Sequence, residues 1–219
     1  MPDREDFLRS IPLCEGLPAE AIQSIAAGSV RAGFDAGAFI FDEGDDAGMF
    51  HIIRTGRVKI IRQGASGRSV LFDVASSGDV LDLAAVASEE VHTVSTQAWT
   101  PIETLLIPRG LFSQVARRHP LLWRNASREL ARGIQSALRC GTYVTLSVEE
   151  RFSRLLLLLG DRVGTIEGEG VRLSVPLTQR EIAEMIGTTT ETACRTWARW
   201  KRQGRIRKVG TELLIVPLT

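Results

Sequence analysis

The most informative segment of the chain is residues 177–200, which read LTQREIAEMIGTTTETACRTWARW. Thr178 and Glu181 have the spacing of a capping box, in which a hydroxyl and a carboxylate satisfy free N–H groups at the start of a helix. Gly187 suits a tight turn after that helix, because glycine adopts backbone conformations that other residues avoid. The segment therefore predicts a helix-turn-helix, whose second helix enters the major groove of DNA.

The second predicted helix has two distinct faces. Thr188 and Glu191 repeat the capping-box spacing at its start. Glu191 and Arg195 lie one turn apart near the end that approaches base edges, where arginine matches guanine O6 and N7 and glutamate can accept from cytosine N4. The alternative interpretation is an exposed ion pair worth about 0.2–0.5 kcal/mol. The apolar residues expected to pack the two helices against each other are Ile182, Ala183, Ile186, Ala193, Trp197 and Trp200.

Positive charge and a predicted hairpin follow the second helix. The cations expected to contact phosphates are Arg199, Lys201, Arg202 and Arg205. Residues 206–208 and 213–216 flank Gly210 and predict a hairpin, the wing of a winged helix-turn-helix. We therefore expect a DNA-binding domain over residues 146–219, with double-stranded DNA as its partner. Its expected contact residues are Thr178, Gln179, Thr188, Thr190, Glu191, Cys194, Arg195 and Arg199.

Glycines punctuate the amino half of the chain between residues 33 and 78. Short strand-like runs lie between them, at residues 39–41, 50–53, 58–61 and 69–72. Such runs, at intervals of about 8–12 residues, predict an all-β sandwich or roll. The first thirty or so residues have a helical pattern instead, with Pro18 beginning a short helix over Ile22 and Ile25. We predict a separate domain over residues 1–119.

A long helix is predicted over residues 120–145, because the segment carries a heptad pattern without an interior proline. The residues on its seam are Trp123, Leu130, Ile134, Ala137, Gly141 and Val144, together with Ser127. A seam of this kind predicts a homodimer helix, and the small residues would let two backbones approach closely. The alternative is that the helix packs on its own β domain.

The composition is that of an ordinary globular protein, with 44% hydrophobic and 24% charged residues in a chain of 219. The net charge of +1 is unevenly divided, with −8 over residues 1–108, +5 over 109–175 and +4 over 176–219. A basic carboxyl half favours a polyanionic partner. No apolar run approaches the roughly 18 residues of a membrane helix, and the first residues lack the apolar core of a signal sequence. We expect a cytoplasmic protein with no membrane partner.

The chain as a whole resembles the superfamily of the cyclic-AMP receptor protein and the fumarate-and-nitrate-reduction regulator, the Crp/Fnr superfamily. The likeness rests on residues 34–45 (FDAGAFIFDEGD), 56–58 (GRV) and 78–79 (GD), and on the helix that carries Glu191 and Arg195. It implies an α+β fold with an N-terminal cyclic-nucleotide-binding-like β-roll (a double-stranded β-helix or jelly roll). A long dimerisation helix and a C-terminal winged helix-turn-helix would follow.

The resemblance also implies a function. Members are homodimeric transcription regulators that respond to an effector, bind a palindromic operator and contact RNA polymerase. In members with this recognition pattern, Glu191 and Arg195 would read the TGA core of each half-site. Thr190 stands where cyclic-AMP-receptor members often carry arginine, and Cys194 where the redox branch often carries serine. The operator is therefore expected to be closer to that of the redox branch.

The family's cyclic-nucleotide site uses a Gly-Glu pair for the ribose and an Arg-Ser or Arg-Thr pair for the phosphate. The residues aligned with it here are Asp82, Leu83, Ala84, His92 and Thr93. Residues 69–108 hold no Lys or Arg, so a phosphate would lack its charge-assisted contact unless Arg54 or Arg68 supplied it. We therefore expect an unknown small-molecule effector at the β-roll, and not cyclic AMP in the usual mode.

The sequence leaves the cofactor unknown. Only Cys14 lies where the redox branch places most of its cluster cysteines, so neither an iron–sulfur cluster nor a metal site is expected. Oxidation of Cys140 or Cys194 is another option, although buried cysteines acting as small apolar residues are the simpler interpretation. Haem is possible but not favoured. Its candidate ligands are His51, His92, His119 and Met49.

No GxSxG, P-loop or HExxH motif is present, so we do not expect an enzyme. The remaining alternative is a small-molecule or haem-binding sensor whose helix-turn-helix is a structural or protein-docking module. The basic run over residues 199–208 argues against that alternative, because it supplies charge for phosphates.

Overall fold

The computed structural model describes residues 2–63, 69–140, 146–168, 170–173, 175, 177–209 and 212–216. It divides into two compact units. The first consists of Met1–Val58 and Ala75–Arg139, and the second of Lys59–Val74 and Cys140–Thr219. None of the described helices combines the length and apolar character needed to span a bilayer.

Helices lie at the beginning and at the end of the first unit. Its helices are α1 (Pro2–Ser10), a 3-10 turn (Pro12–Cys14), α2 (Ala19–Gly28), α3 (Leu83–Ser88), α4 (Arg109–Arg118) and α5 (Leu121–Cys140, whose last residue falls in the second unit). Pro18 occupies the N-cap of α2, and Ile22 and Ile25 are buried, as the sequence predicted. Proline is well tolerated there because its missing N–H would have had no partner inside the helix.

Eight strands form the β-roll. They are β1 (Val30–Phe34), β2 (Phe39–Phe41), β3 (Met49–Thr55), β4 (Val58–Gln63), β5 (Ser69–Ala75), β6 (Val80–Leu81), β7 (Ser95–Ala98) and β8 (Ile102–Pro108). One sheet has the order β1-β8-β3-β6 and the other the order β2-β7-β4-β5. The predicted β-roll is confirmed, and each of the four strand-like runs lies in a strand.

An aromatic and aliphatic core holds the helices of the first unit against its sheet. The Phe50 ring of β3 stacks on Phe112 of α4 with centroids 4.3 Å apart, and Phe112 meets Trp123 of α5 edge-on at 5.2 Å. Asn125 of α5 is buried, and its side-chain amide donates to the carbonyls of Leu13 and Glu15 at 3.1 and 2.8 Å. These bonds satisfy a buried polar group, which would otherwise be costly.

The second unit contains the carboxyl-terminal helices and a small sheet. Its elements after α5 are α6 (Val148–Val163), β9 (Gly164–Glu167), β10 (Gly170–Leu173), α7 (Gln179–Met185), α8 (Thr190–Arg202), β11 (Ile206–Val209) and β12 (Glu212–Ile215). The strands pair in the order β11-β12-β10-β9. The predicted wing is thus present as the β11–β12 hairpin, and it joins a four-stranded sheet. Gly210, at its predicted turn, lies outside the described residues.

Two ion pairs lie inside the second unit and link its residues 59–74 to its helices. Lys59 Nζ is 3.2 Å from Glu181 Oε1, at the start of α7. Arg162 of α6 donates from Nη2 and Nε to the two carboxylate oxygens of Asp73, at 2.7 and 3.2 Å. The Arg162–Asp73 pair is bidentate, and the Asp73 side chain is mostly buried. A bidentate arginine–carboxylate pair is among the strong hydrogen-bonded contacts in proteins.

The α5 helix leaves much of the predicted seam exposed. Trp123 is 37% exposed despite its contact with Phe112, and Ile134 is 61% exposed. Leu130 is partly buried against the core of the first unit. Gly141, Val144 and the side chain of Ala137 lie outside the described residues. The dimer helix over residues 120–145 therefore stays a prediction.

Candidate nucleic-acid interface and effector pocket

The first helix of the helix-turn-helix, α7, begins with the predicted capping box. Thr178 Oγ1 accepts from the Glu181 backbone N–H at 3.1 Å, and Glu181 Oε2 accepts from the Thr178 N–H at 3.0 Å. Burial alone would raise the pKa of the Glu181 carboxyl, but the hydrogen bonds from Thr178 and the Lys59 ammonium lower it below its usual value. The carboxylate is therefore held ionised where α7 starts.

The turn between the helices is built as predicted, but the second capping box is not. Gly187 has φ +63, in the left-handed region that favours glycine. The Thr188 N–H bonds to the Ala183 carbonyl at 2.9 Å, so it is not available to the Glu191 carboxylate as a capping box requires. Thr189 caps α8 instead, accepting from the Thr192 N–H at 3.2 Å. The predicted Thr188–Glu191 box is wrong by one residue.

The inner faces of the two helices are apolar. Ile182, Ala183, Ile186, Ala193 and Trp200 are buried, and Trp197 is half-buried. The prediction placed both tryptophans against α7, whereas their ring contacts are with Phe152 of α6. Trp200 meets that ring edge-on at 4.9 Å and Trp197 at 6.2 Å. The helix-turn-helix therefore packs on α6, which supplies an aromatic partner that helical spacing alone does not reveal.

Glu191 and Arg195 lie side by side on the outer face of α8. Their side chains are 81% and 70% exposed, and the nearest carboxylate and guanidinium atoms are 3.9 Å apart. Arg195 Nη2 also lies 3.4 Å from Thr192 Oγ1. Exposed pairs of this kind add little to stability, so both groups are available to a partner. Thr190, at the start of the helix, is also exposed.

The other predicted contact residues lie on α7, in the turn and farther along α8. Gln179 and Cys194 are joined, because the Cys194 thiol donates to Gln179 Oε1 at 2.8 Å. The Thr178 hydroxyl is used in the capping box, and Thr188 is half-buried in the turn. Arg199 is exposed but donates to Glu149 at 2.8 Å. The predicted contact residues therefore lie on one helix pair and the turn that joins it. They differ in whether the side chain is exposed or already hydrogen-bonded to a neighbour.

Sequence reasoning missed three residues around this helix pair. Arg180 of α7 is 82% exposed and pairs with Glu184 at 3.0 Å. Arg151 of α6 donates from Nη1 to the carbonyls of Ile186 and Gly187, at 2.6 and 3.1 Å, and so closes the end of α7. Glu149, also in the first turn of α6, accepts from Trp200 Nε1 at 3.0 Å. A buried tryptophan needs an acceptor, which is the one signal that could have pointed to Glu149.

Three of the residues aligned with the effector pocket, Asp82, His92 and Thr93, form a hydrogen-bonded group in the first unit. Asp82 Oδ2 lies 3.0 Å from His92 Nδ1 and accepts from the Thr93 N–H at 3.0 Å. The His92 ring lies parallel to the Phe41 ring, with centroids 3.6 Å apart. The Asp82 and His92 side chains are only 5% and 2% exposed. Leu83, by contrast, is buried in the hydrophobic core, and Ala84 is exposed.

The backbone at this group is unusual. Asp82 has φ +43 and Glu89 has φ +61, and they flank the two ends of α3. A non-glycine residue in this region costs about 1–3 kcal/mol and persists only where its surroundings hold it. The bonds from His92 and Thr93 to the Asp82 carboxylate provide such a restraint.

His51 lies beside this group, in edge contact with Phe41 at 5.4 Å. Burial lowers its pKa to about 4, and the electrostatic interaction with the neighbouring His92 ring adds to that effect. Its Nδ1 atom is buried without a hydrogen-bond partner in the described part of the chain. Arg54, one of the two arginines named from the sequence as alternative phosphate contacts, donates to Glu103 at 2.9 Å. The other, Arg68, lies outside the described residues.

The remaining candidate ligands and thiols are dispersed. His119 Nε2 is 3.7 Å from Glu20, and burial raises the pKa of the Cys14 thiol to about 12. Cys14 therefore behaves as a small apolar residue, whereas Cys194 is half-buried. The side chain of Cys140 falls outside the described residues. Within the described ranges, no three His, Cys, Asp or Glu side chains are grouped to hold a metal ion.

Comparisons with known proteins agree with this geometry. Residues 15–119 match the cyclic nucleotide-binding domain, and residues 150–218 match the Crp-like helix-turn-helix domain. The chain is 26% identical over 212 residues to the CRP-like cAMP-activated global transcriptional regulator of Mycobacterium tuberculosis, covering 96% of this chain and 95% of that protein. It is 24% identical to the nitrogen fixation regulation protein FixK of Bradyrhizobium diazoefficiens, covering 91% and 83%.

Solved structures show the same fold. The c-di-GMP responsive global regulator CLP of Xanthomonas campestris superimposes with a TM-score of 0.75 at 20% identity, covering 92% of this chain and 100% of that one. FixK2 from Bradyrhizobium japonicum does so with a TM-score of 0.74 at 20% identity, covering 87% and 93%.

A cyclic-nucleotide-binding β-roll joined to a winged helix-turn-helix defines a class of DNA-binding transcription regulators. Within that class, the chain belongs to the Crp/Fnr family. Members of this family are transcription regulators and not enzymes.

Proposed function

We propose that the protein acts in the cytoplasm as a homodimer that reads a palindromic operator with Glu191 and Arg195 and regulates transcription there with RNA polymerase. The observation that carries the proposal is the exposed Glu191–Arg195 pair at the amino end of α8. Both side chains are accessible, on a helix whose other face is fixed by packing on α6. A rigid helix with two exposed readout groups is what the major groove accommodates.

The chemistry of the pair suits a half-site that contains TGA. Arginine donates in bidentate fashion to guanine, and glutamate accepts from the amino group of a cytosine, such as the one paired with that guanine. The Cys194–Gln179 bond and the exposed Thr190 lie beside the pair and would contribute to the neighbouring bases. Exposed Lys201 and Arg202 would contact phosphates, which position the protein without specifying sequence.

The α5 helix supports a homodimer. Trp123 and Ile134 are large apolar side chains left exposed on one stripe of a 20-residue helix. Covering such a stripe with a second copy buries it, and a two-fold dimer would place two α8 helices on half-sites about 34 Å apart.

The effector we propose for the β-roll is a small molecule other than cyclic AMP in the usual mode. Asp82, Leu83 and Ala84 stand where the family places its Gly-Glu pair for the ribose, and His92 and Thr93 where it places the pair for the phosphate. Asp82 and His92 are bonded to each other. An anionic carboxylate there disfavours a phosphate, and Arg54 is already paired with Glu103. Haem stays possible and not favoured, and an iron–sulfur cluster is not proposed.

The test of the operator proposal is selection of a preferred site from random duplex DNA, followed by affinity measurements on Arg195→Ala. We expect this variant to lose about 1–3 kcal/mol of discrimination per half-site, about 5- to 150-fold, while remaining a dimer. Arg202→Ala is the matched control, because loss of a phosphate contact weakens binding to all sequences alike.

Two results would contradict the proposal. One is an Arg195→Ala variant whose preference for the selected operator equals that of the wild type. The other is a wild-type protein with no preferred sequence and a flat salt dependence, which would favour the alternative of a sensor with a protein-docking helix-turn-helix.

A further inference from the structure

One carboxylate lies among the cations at the end of the recognition helix. Glu149 Oε2 accepts from Arg199 Nη1 at 2.8 Å, and Oε1 accepts from Trp200 Nε1 at 3.0 Å. Arg205 Nη1 lies 3.7 Å from the same Oε1. Glu149 therefore meets three donors from α8 and from the residues just after it.

This carboxylate is fixed in place. The Trp200 side chain is buried between Phe152, edge-on at 4.9 Å, and the guanidinium of Arg205, 4.6 Å from the indole centroid. If Glu149 moved away, the buried indole N–H would lose its acceptor, which is costly. The first turn of a helix also favours an acidic side chain, because the helix dipole is positive there.

We propose that Glu149 is a positioning residue for DNA recognition. It holds the carboxyl end of α8 in one orientation on α6 and withholds the Arg199 guanidinium from the phosphate backbone. The inference deepens the proposed function and rests on it.

The two effects act on different parts of the binding free energy. Phosphate contacts strengthen binding to any sequence, so an engaged Arg199 lowers affinity for random DNA. Base contacts by Glu191 and Arg195 require a fixed helix, so the same restraint favours the operator. Lys201 and Arg202, both exposed, would remain to supply phosphate contacts.

The test is Glu149→Gln, which removes the charge and keeps an amide oxygen to accept from Trp200 Nε1. We expect the slope of log affinity against log salt on random DNA to become steeper by about 0.9 for each subunit that engages DNA. Affinity for random DNA should rise about 5- to 10-fold per subunit at about 0.1 M salt. The operator-to-random affinity ratio should fall.

Two further variants distinguish a general effect of removing one negative charge from the specific release of the Arg199 guanidinium. Glu167→Gln removes the same charge from the β9–β10 hairpin, where Glu167 pairs with Arg172, and should leave the slope at its wild-type value. Glu149→Gln combined with Arg199→Gln should restore the wild-type slope while leaving the operator-to-random ratio low. Thermal unfolding of each variant confirms that the fold is retained.

The proposal is overturned by a Glu149→Gln slope no steeper than that of Glu167→Gln, or by an operator-to-random ratio equal to that of the wild type. Equal losses on operator and random DNA with an unchanged slope would show a purely structural role and also overturn it. If selection yields no preferred sequence, the proposed function fails, and the slope on random DNA still reports whether Glu149 withholds Arg199.

Discussion

At the scale of single residues, the contacts among the residues aligned with the effector pocket are the feature that the sequence could predict least. The aligned positions Asp82, His92 and Thr93 were identified from the chain, but their mutual hydrogen bonds were not. Neither the stacking of His92 on Phe41 nor the edge contact of His51 with Phe41 follows from local sequence, because both join segments that are apart in the chain. Residue types alone gave the expectation that a phosphate site is absent, and the fold adds the hydrogen bonds that these residues make with one another.

The half-buried His51 should make the protein sensitive to acid. Its pKa in the folded state is about 4, compared with 6.5 for an unperturbed histidine, so between these values the unfolded state binds more protons. The free energy of unfolding should therefore fall as the pH drops from 6.5 towards 4, by at most about 3 kcal/mol from this group. Chemical denaturation at several pH values measures it.

The matched variant for this measurement is His51→Gln, which cannot take up the proton. Its free energy of unfolding should depend less steeply on pH in the same window, by up to about 1.4 kcal/mol per pH unit. Parallel curves for the wild type and the variant would show that His51 is not the responsible group.

At the scale of elements, capping chemistry was predictable and helix register less so. Thr178 and Glu181 mark the start of α7 as expected, whereas α8 begins after Thr189, whose hydroxyl accepts from the Thr192 N–H. Three threonines in succession, Thr188 to Thr190, are equally good caps by residue type, and the spacing to Glu191 favoured the wrong one, Thr188. The bond from the Thr192 N–H identifies Thr189 as the cap.

The exposed stripe of α5 gives a prediction about assembly. Ile134→Asp would place a charge in the predicted dimer seam, where burial of an unpaired carboxylate is unfavourable. We expect the variant to sediment as a monomer at micromolar concentration, while the wild type sediments as a dimer.

Arg128→Asp is the control for this experiment, because it places the same carboxylate on an exposed position off the seam. It should remain dimeric. A dimer of unchanged stability for Ile134→Asp would place the interface elsewhere on the chain.

At the scale of the whole molecule, the sequence predicted both kinds of domain but not the composition of the two units. Residues 59–74 belong to the second unit, where Lys59 and Asp73 form ion pairs with Glu181 and Arg162. Ion pairs between residues so far apart in the chain leave no recognisable pattern in the local sequence. The division of charge, by contrast, was visible from composition because the basic residues cluster after residue 109.

The β-roll chemistry predicts how the whole protein responds to cyclic AMP. A ligand present at 100 times its dissociation constant stabilises the folded state by about 2.7 kcal/mol, which raises the unfolding midpoint of a chain this size by about 5–10 °C. We expect 1 mM cyclic AMP to move the midpoint by less than about 1 °C, since no such stabilisation is expected.

The cAMP-activated regulator of Mycobacterium tuberculosis is a suitable positive control for that measurement. A rise of several degrees for the present protein would contradict our view of the pocket. It would mean that Asp82 and His92 separate to admit the nucleotide.

The contact between Glu149 and Arg199 has a consequence for how quickly a target is found. A regulator searches among about 10⁶–10⁹ competing sites, and its residence on each is governed by phosphate contacts. With one guanidinium withheld, each unproductive visit is shorter and fewer molecules are trapped on irrelevant stretches of the chromosome. A cell could then keep the same operator occupied with a smaller number of copies of this protein.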